Sequence, residues 1–583
     1  MGVPESAVGP RWRSAVAGVS VVVAASLAVG GCGSSSSGPK ALACPAKPAA
    51  GGGTGAAGGA GGSGGAGGAV GAGSGGAAPA PGRGNAAVAE GWTLPGGTLA
   101  NTRDVASAIT STNAATLGVA WTVPLQLPSH TDGAYATTPV IVNGVVYAQD
   151  LDSNVMAISL ATGKVLWRHA YDSPNGGPDG VTVANGTVYG ATDRAAFALS
   201  AATGAQLWMR TLVGNDHEGI DMTPGYNHGT VYVSTVPVNP AVGEYLGGGQ
   251  GILFALNARS GAPEWSWDEV QNLWGNPAIN SGGGQWYPPS FDGQGNIYIG
   301  VANPAPLFGT KAYPWGTSRP GPNLYTDSVV KLSPQGKLLW YYQLTPHDLF
   351  DWDLQNPPVL TTAHGRPVVI DGGKAGIVIE LDARTGTLVW KLPVGLHNGH
   401  DRDGLLTENA TPTSHIKLPK QFCLEPGVEG GVETQLASNG STTFAAVNDV
   451  PAPVCGTGKG CSISVSAAIE AVLKGAGEMV AVNQDTGKVE WDTALPSSPY
   501  GAATVTNNVV FTTTFHGDLY ALNAATGAIL LKTPLTAGSN APVAINGNYV
   551  IAGAGAPLSA KQRPMIIAYR LGATGKLPET VGP

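Results

Sequence analysis

The chain has 583 residues, of which 12% are charged and 87 are glycine, with a formal net charge of −8. Nucleic acid binding needs a basic face, so this balance excludes nucleic acid as an expected partner. The length would hold several domains, but one repeated unit runs through most of it.

At the N-terminus, Arg11 and Arg13 precede an apolar stretch from Ala15 to Val29 that closes on L-A-V-G-G-C at Cys32. A positive n-region, a short apolar core and small residues before the cut read as a secretory signal over residues 1–31. The small residues before the Cys resemble a bacterial lipobox, which implies that Cys32 is lipidated and begins the mature protein. An ordinary signal peptide is the alternative. No later stretch has the roughly 18 unbroken apolar residues of a spanning helix. The expected location is therefore outside the cytoplasm, lipid-anchored to the outer face of a bacterial cell membrane or periplasmic. Residues 32–89 are mostly Gly, Ala, Ser and Pro, a composition that cannot offset ordering entropy by burial, and a flexible tether is expected there.

From residue 90 a unit recurs: an extended apolar run, a short turn, then A-L-(D/N)-x-x-T-G-x-x-x-W. Copies end at Trp167, Trp208, Trp265, Trp390 and Trp491, a shortened one ends at Trp340, and one ends on Leu531 in place of Trp. Asn143-Gly144, Asn185-Gly186, His228-Gly229 and Asn546-Gly547 mark tight hairpins. Four short antiparallel strands every 40 to 50 residues is the spacing of a propeller blade. With Trp121 the ends count eight, so the expected fold is all-β, an eight-bladed β-propeller of four-stranded antiparallel blades over 90–583, with seven blades as the alternative. The early strand around Trp121 is expected to complete the last blade, closing the ring and removing open sheet edges. The Trp residues read as aromatics packed between neighbouring blades.

The repeat is broken between residues 280 and 382, by N-S-G-G-G-Q-W-Y-P-P, G-V-A-N-P-A-P, S-R-P-G-P-N-L-Y-T-D-S-V-V, Y-Y-Q-L-T-P-H-D-L-F-D-W-D and D-G-G-K-A-G-I-V-I-E-L-D. Departures from a regular pattern concentrate at functional sites. Asp351 and Asp353 are two apart, so in extended chain both carboxylates face one side. Two carboxylates and the Asn303 amide are hard oxygen donors suited to calcium or a trivalent ion. The alternative for the pair is a rim loop that caps Trp352. His397 and His400 have metal-like spacing but read as a solvated turn.

Cys423, Cys455 and Cys461 fall in one irregular insertion, while Cys44 lies in the tether. In an exported protein a disulfide is expected, with Cys423–Cys455 and Cys455–Cys461 the main options. No C-x-x-C-H occurs, so no attached c-type haem is expected.

These motifs resemble those of the pyrroloquinoline quinone (PQQ)-dependent alcohol dehydrogenases, over residues 90–572. The resemblance implies PQQ and a calcium or lanthanide ion on the propeller axis, a small alcohol or aldehyde substrate and an external electron acceptor. It makes Asp351 the catalytic base, Trp286 the indole under the quinone and Lys374 the cation at its oxygens. Glu433 becomes a cofactor-lining residue, and the metal ligands are Asn303, Asp351, Asp353 and, in an offset position, Glu244. Asp353 marks the lanthanide-dependent branch. The chain departs from the family where adjacent cysteines and an arginine for a quinone carboxylate are usual: there are no cysteines, and Asp179 stands at the arginine position. Glu218 is a poorly aligned alternative to Glu244. A non-catalytic cell-surface propeller serving as a binding or assembly scaffold is the second reading, since such propellers share the repeat.

Overall fold

The computed structural model describes residues 44, 89–128, 133–175, 177–239, 243–244, 247–419, 421–455 and 471–579. The signal segment, Cys32, Cys461 and nearly all of the expected tether lie outside these residues.

The first blade shows how the repeat folds. Val140–Val142, Val145–Gln149, Val155–Ser159 and Val165–His169 pair in order as one antiparallel sheet. Asn143 and Gly144 take left-handed conformations in the first turn (φ 50° and 74°), as a two-residue hairpin requires. The middle strands are buried on both faces because each blade is sandwiched between two others, so they read as unbroken apolar runs. The fourth strand lies at the rim and is largely exposed.

Seven further blades repeat this plan, and blade 3 carries an additional short strand, Gly219–Ile220. The ring closes as expected, with eight blades: Leu117–Pro124 pairs with Met565–Leu571, Val119 opposite Tyr569 and Trp121 opposite Ala568. Neighbouring blades are joined by one device. Trp390 Nε1 donates to the Gln484 carbonyl at 2.8 Å, and its ring lies on Gly487 of the next blade. Gly487 has φ +63°, and a Cβ there would stand 2.6 Å from Trp390 Cδ2, so the T-G of the repeat is a docking surface as well as a turn. Trp121, Trp167, Trp208, Trp265, Trp340 and Trp491 make the same contact.

Residues 92–108 thread across the innermost strands, a feature the repeat does not announce. The second residue of that strand in five blades donates its N–H to this segment. Ile141 bonds Trp92 O (2.6 Å), Phe291 bonds Leu99 O (2.7 Å), Leu360 bonds Ala100 O (2.9 Å), Ser438 bonds Thr102 O (2.8 Å) and Val505 bonds Arg103 O (2.8 Å). An innermost strand has no sheet partner on its axial side, and the segment satisfies donors that burial would otherwise leave open. Arg103 is fully buried at its centre, bonding Ala503 O, Gln435 Oε1 and Thr504 Oγ1 at 2.6 to 2.8 Å and lying over the Trp92 ring. Burial lowers its pKa to about 9, with Tyr287 acting the other way.

The disulfide differs from both sequence options. Cys423 is joined to Cys44, 379 residues away. Strand Gln421–Leu424 pairs with Ala452–Cys455 in a register that sets Cys423 against Pro453 and Cys455 against Gln421. Residues adjacent in sequence across the insertion are therefore not its covalent partners, and a tether residue is.

Candidate active site

After the outer strand of blade 4, Leu338–Gln343, the chain turns inward through residues 344–358. The Asp348 carboxylate shapes this turn, Oδ1 accepting Phe350 N–H and Oδ2 accepting Trp352 N–H, each at 2.9 Å. Asp351 sits between those donors at φ 65°, a conformation that costs energy in a non-glycine residue and clusters at functional sites. Arg319, fully buried, braces the turn from behind by donating to Leu307 O (2.8 Å) and Asp348 O (2.5 Å).

Lys374 enters from the turn after Arg366–Gly373 in blade 5. Its Nζ lies 3.0 Å from Asp351 Oδ2 and 2.7 Å from Asp353 Oδ2. Asp353 Oδ1 accepts the Asn303 backbone N–H at 2.7 Å. Asn303 and Asp351 are 0% exposed, Asp353 1% and Lys374 3%. Two carboxylates do face one side, as the spacing expects, and the rim-loop alternative fails because neither touches bulk solvent. The turn around Trp352 is capped by Asp348 instead.

Acids outnumber cations here. Burial depresses the Lys374 pKa, but Asp351, Asp353, Glu433 and Glu429 reverse this and hold it well above its ordinary value. Burial raises Glu433 to about 7, with Lys374 opposing. Asp327 is fully buried, neither oxygen has a hydrogen-bond donor, and burial beside Asp348 and Asp353 pushes it well up. Asp348 is raised to about 6 by burial. Asp327 belongs to this group although sequence reasoning passed over it. Its signal was its place in the N-L-Y-T-D run.

Trp286 is buried against Val236, Ala302 and Tyr287. Burial and the charge of Glu433 raise the pKa of its neighbour Tyr287, while Arg103 and Lys374 act the other way. Glu244 lies on a two-residue strand, Gly243–Glu244, paired to Val238–Asn239, and its side chain is not among the described features. Glu218 is held by Asn215 Nδ2 at 3.3 Å. The third-blade acid that does reach the Trp286 segment is Glu269. It accepts Gly284 N–H (2.5 Å), Gln285 Nε2 (2.7 Å) and Ser234 Oγ (2.8 Å), and burial raises it to about 7. It directly follows the S-W-D end of a docking strand, a regular position that concealed it.

Asp179, at the position of the family arginine, is 0% exposed, and burial with Asp221 and Asp193 nearby raises its pKa well above the ordinary value. His397 and His400 are partly exposed in a turn whose Asn398, Gly399, Asp401 and Arg402 are exposed, as expected, but each is paired. His397 Nδ1 pairs with Asp401 (2.9 Å), while His400 Nδ1 pairs with Asp403 (2.7 Å) and its ring stacks on Phe422 at 3.9 Å. Each imidazole is committed to a carboxylate, so neither is set out as a metal ligand.

Among the described residues no three His, Cys, Asp or Glu side chains converge in a metal-holding arrangement. The chemistry at the centre still suits a hard cation and a quinone: oxygen donors on Asn303, Asp351 and Asp353, an excess of buried acids, the unpartnered Glu433 Oε2, and a lysine and an indole beside them. The side carrying Asp179 does not suit a carboxylate.

Eight closed blades surround a buried Asp–Lys–Asp centre. The family model for the β-propeller domain of glucose, ethanol and alcohol dehydrogenases, PQQ, matches residues 92–182 and 223–420, and that of the outer membrane protein assembly factor BamB matches 475–562. The quinohemoprotein alcohol dehydrogenase of Comamonas testosteroni is 28% identical over 534 residues, spanning 81% of this chain and 72% of that protein. The solved structure of quinohemoprotein alcohol dehydrogenase ADHIIG from Pseudomonas putida HK5 superposes with TM-score 0.72 at 21% identity, covering 85% of this chain and 82% of the other. A europium-containing methanol dehydrogenase superposes with TM-score 0.67 at 18% identity, covering 83% and 99%. These matches support a PQQ-dependent alcohol dehydrogenase-like β-propeller.

Proposed function

We propose that the chain is an exported PQQ-dependent dehydrogenase that oxidises an alcohol or aldehyde and passes electrons to an external acceptor. The observation that carries this is the buried contact of Lys374 with Asp351 and Asp353 beside Asn303. Such a cluster costs stability relative to an apolar core, so its full burial favours use over structure. The names of the relatives, alcohol and methanol dehydrogenases, support the substrate class.

In this reading Asn303, Asp351 and Asp353 hold a calcium or lanthanide ion, with Glu244 as a further ligand, and Trp286, Lys374 and Glu433 line the quinone. Bound PQQ supplies two-electron, hydride-accepting chemistry. Asp351 takes the hydroxyl proton of the substrate on its carboxylate. Lys374 keeps Asp351 ionised between turnovers, because separating that pair in a buried site is costly. Trp352 and Phe350 flank the base and exclude water from it. The external acceptor is of the cytochrome type, as in the 1-butanol dehydrogenase (cytochrome c) to which the chain is 27% identical over 339 residues. The protein is held at the outer face of the cell membrane by lipid on Cys32.

Reconstitution tests this reading: the purified chain with PQQ and either calcium or a light lanthanide should bind the quinone and reduce dye with short alcohols. No PQQ binding with either ion would end it. A scaffold without cofactor is the second reading. It is favoured by the BamB match over 475–562 and by Asp179 where a quinone carboxylate needs a cation.

A further inference from the structure

We propose that residues 396–426 form a membrane-facing cap that docks on the outer leaflet of the lipid bilayer; this rests on the reading of Cys32 as lipidated. The cap is one body. Asn398 N–H donates to Glu425 O and Glu425 N–H to Asn398 Oδ1, each at 3.2 Å, and Asn398 Nδ2 also donates to Cys423 O. The His400–Phe422 stack and the two His–Asp pairs lock the same stretch. Its short helix, Asp403–Thr407, buries Asp403, Gly404 and Thr407 and turns Leu405 and Leu406 outward, 53% and 65% exposed. Two adjacent leucines at the tip of a polar loop are suited to shallow insertion between headgroups.

What selects the membrane as occupant is the covalent path. Cys44 is joined to Cys423 in the cap. Only eleven residues lie between Cys32 and Cys44. A chain of that length spans at most about 40 Å. Without the disulfide the leash would run to Ala89, more than four times as many residues, and would be tied to no part of the cap. The disulfide therefore raises the local concentration of bilayer at the cap, and the leucines need contribute only weak contact of their own. The cap also walls a cleft of about 120 Å³ between Phe350, Trp352, Lys391 and Leu405. The side of the propeller next to Asp351 then faces the lipid.

Membranes carrying the full chain should be reconstituted with a diazirine-bearing phospholipid, photolysed, and the lipid adducts mapped by mass spectrometry, with the lipid state of Cys32 read from the N-terminal peptide. Adducts are expected to concentrate on residues 403–407 and to fall about tenfold in Cys44→Ser and in Cys423→Ser, both of which stay membrane-bound. The double variant Leu405→Ser/Leu406→Ser, which removes exposed side chains only, should lose the adducts with the disulfide intact. Adducts spread equally over blade rims such as Leu166 and Leu207, or a pattern unchanged in Cys44→Ser, overturn the proposal while the anchor stands. An unmodified Cys32 overturns both together.

Discussion

Asp353 holds Lys374 twice: its Oδ2 lies 2.7 Å from Nζ, and its backbone carbonyl accepts the Lys374 N–H at 3.0 Å. The side chain that neutralises the centre is thus positioned by the residue it neutralises, across two blades. Removing the cation leaves two buried carboxylates without their main countercharge. Lys374→Met should therefore lower stability by about 3–5 kcal/mol in urea unfolding. The triple variant Lys374→Met/Asp351→Asn/Asp353→Asn should recover much of that loss, because no uncompensated charge remains.

Asp351→Asn keeps shape and removes the base. Dye reduction by the reconstituted protein, measured at saturating PQQ and metal ion, should fall by about 10²- to 10⁴-fold. An unchanged rate would show that the proton goes elsewhere.

Asp353→Ala discriminates between ions. Two carboxylates balance a trivalent charge better than one, so activity supported by a light lanthanide should drop at least about tenfold more than activity supported by calcium. Equal losses would reject Asp353 as a ligand specific to the lanthanide.

Stability should be greatest near pH 4. Burial raises Asp150 to about 6 and Glu269 and Glu380 to about 7, from ordinary values near 4. A carboxyl with a raised folded-state pKa is fully tolerated when protonated, and its cost grows as pH climbs from the unfolded to the folded value. Buried His347 opposes this, since its pKa is lowered to about 4 by burial and Arg319 and it costs stability as pH falls below about 6.5. Three carboxyls outweigh one imidazole, so thermal stability should be highest near pH 4, decline as pH climbs to about 7 and change little above that. Glu269→Gln should flatten the upper part of that slope, measured by scanning fluorimetry.

The docking device should be intolerant of one methyl group. Gly487→Ala places Cβ against the Trp390 ring at a left-handed φ, and about 2–3 kcal/mol of destabilisation is expected. Gly144→Ala has a similar φ but open space around it, so it should cost only about 1 kcal/mol. Comparison of the two by urea unfolding separates packing from backbone strain.

The Trp-ended repeat determined the architecture by itself. A unit that cannot bury its own faces must stack on its copies, and both the count of eight and closure through the strand at Trp121 follow from local pattern. The interruption between Trp286 and Lys374 likewise marked Asn303, Asp351 and Asp353, because residue types at fixed spacing survive in one dimension. Tertiary structure alone decided the rest. Residues 92–108 look featureless until five blades present their innermost N–H groups to them. Glu269 reaches Gly284 and Gln285, and Asp327 meets Asp348 and Asp353, only once the chain has folded. The Cys44–Cys423 link joins positions 379 residues apart, which no cysteine spacing within the insertion could indicate. Periodicity records what a residue's neighbours along the chain impose; closing the ring decides which distant charges and thiols must share a place.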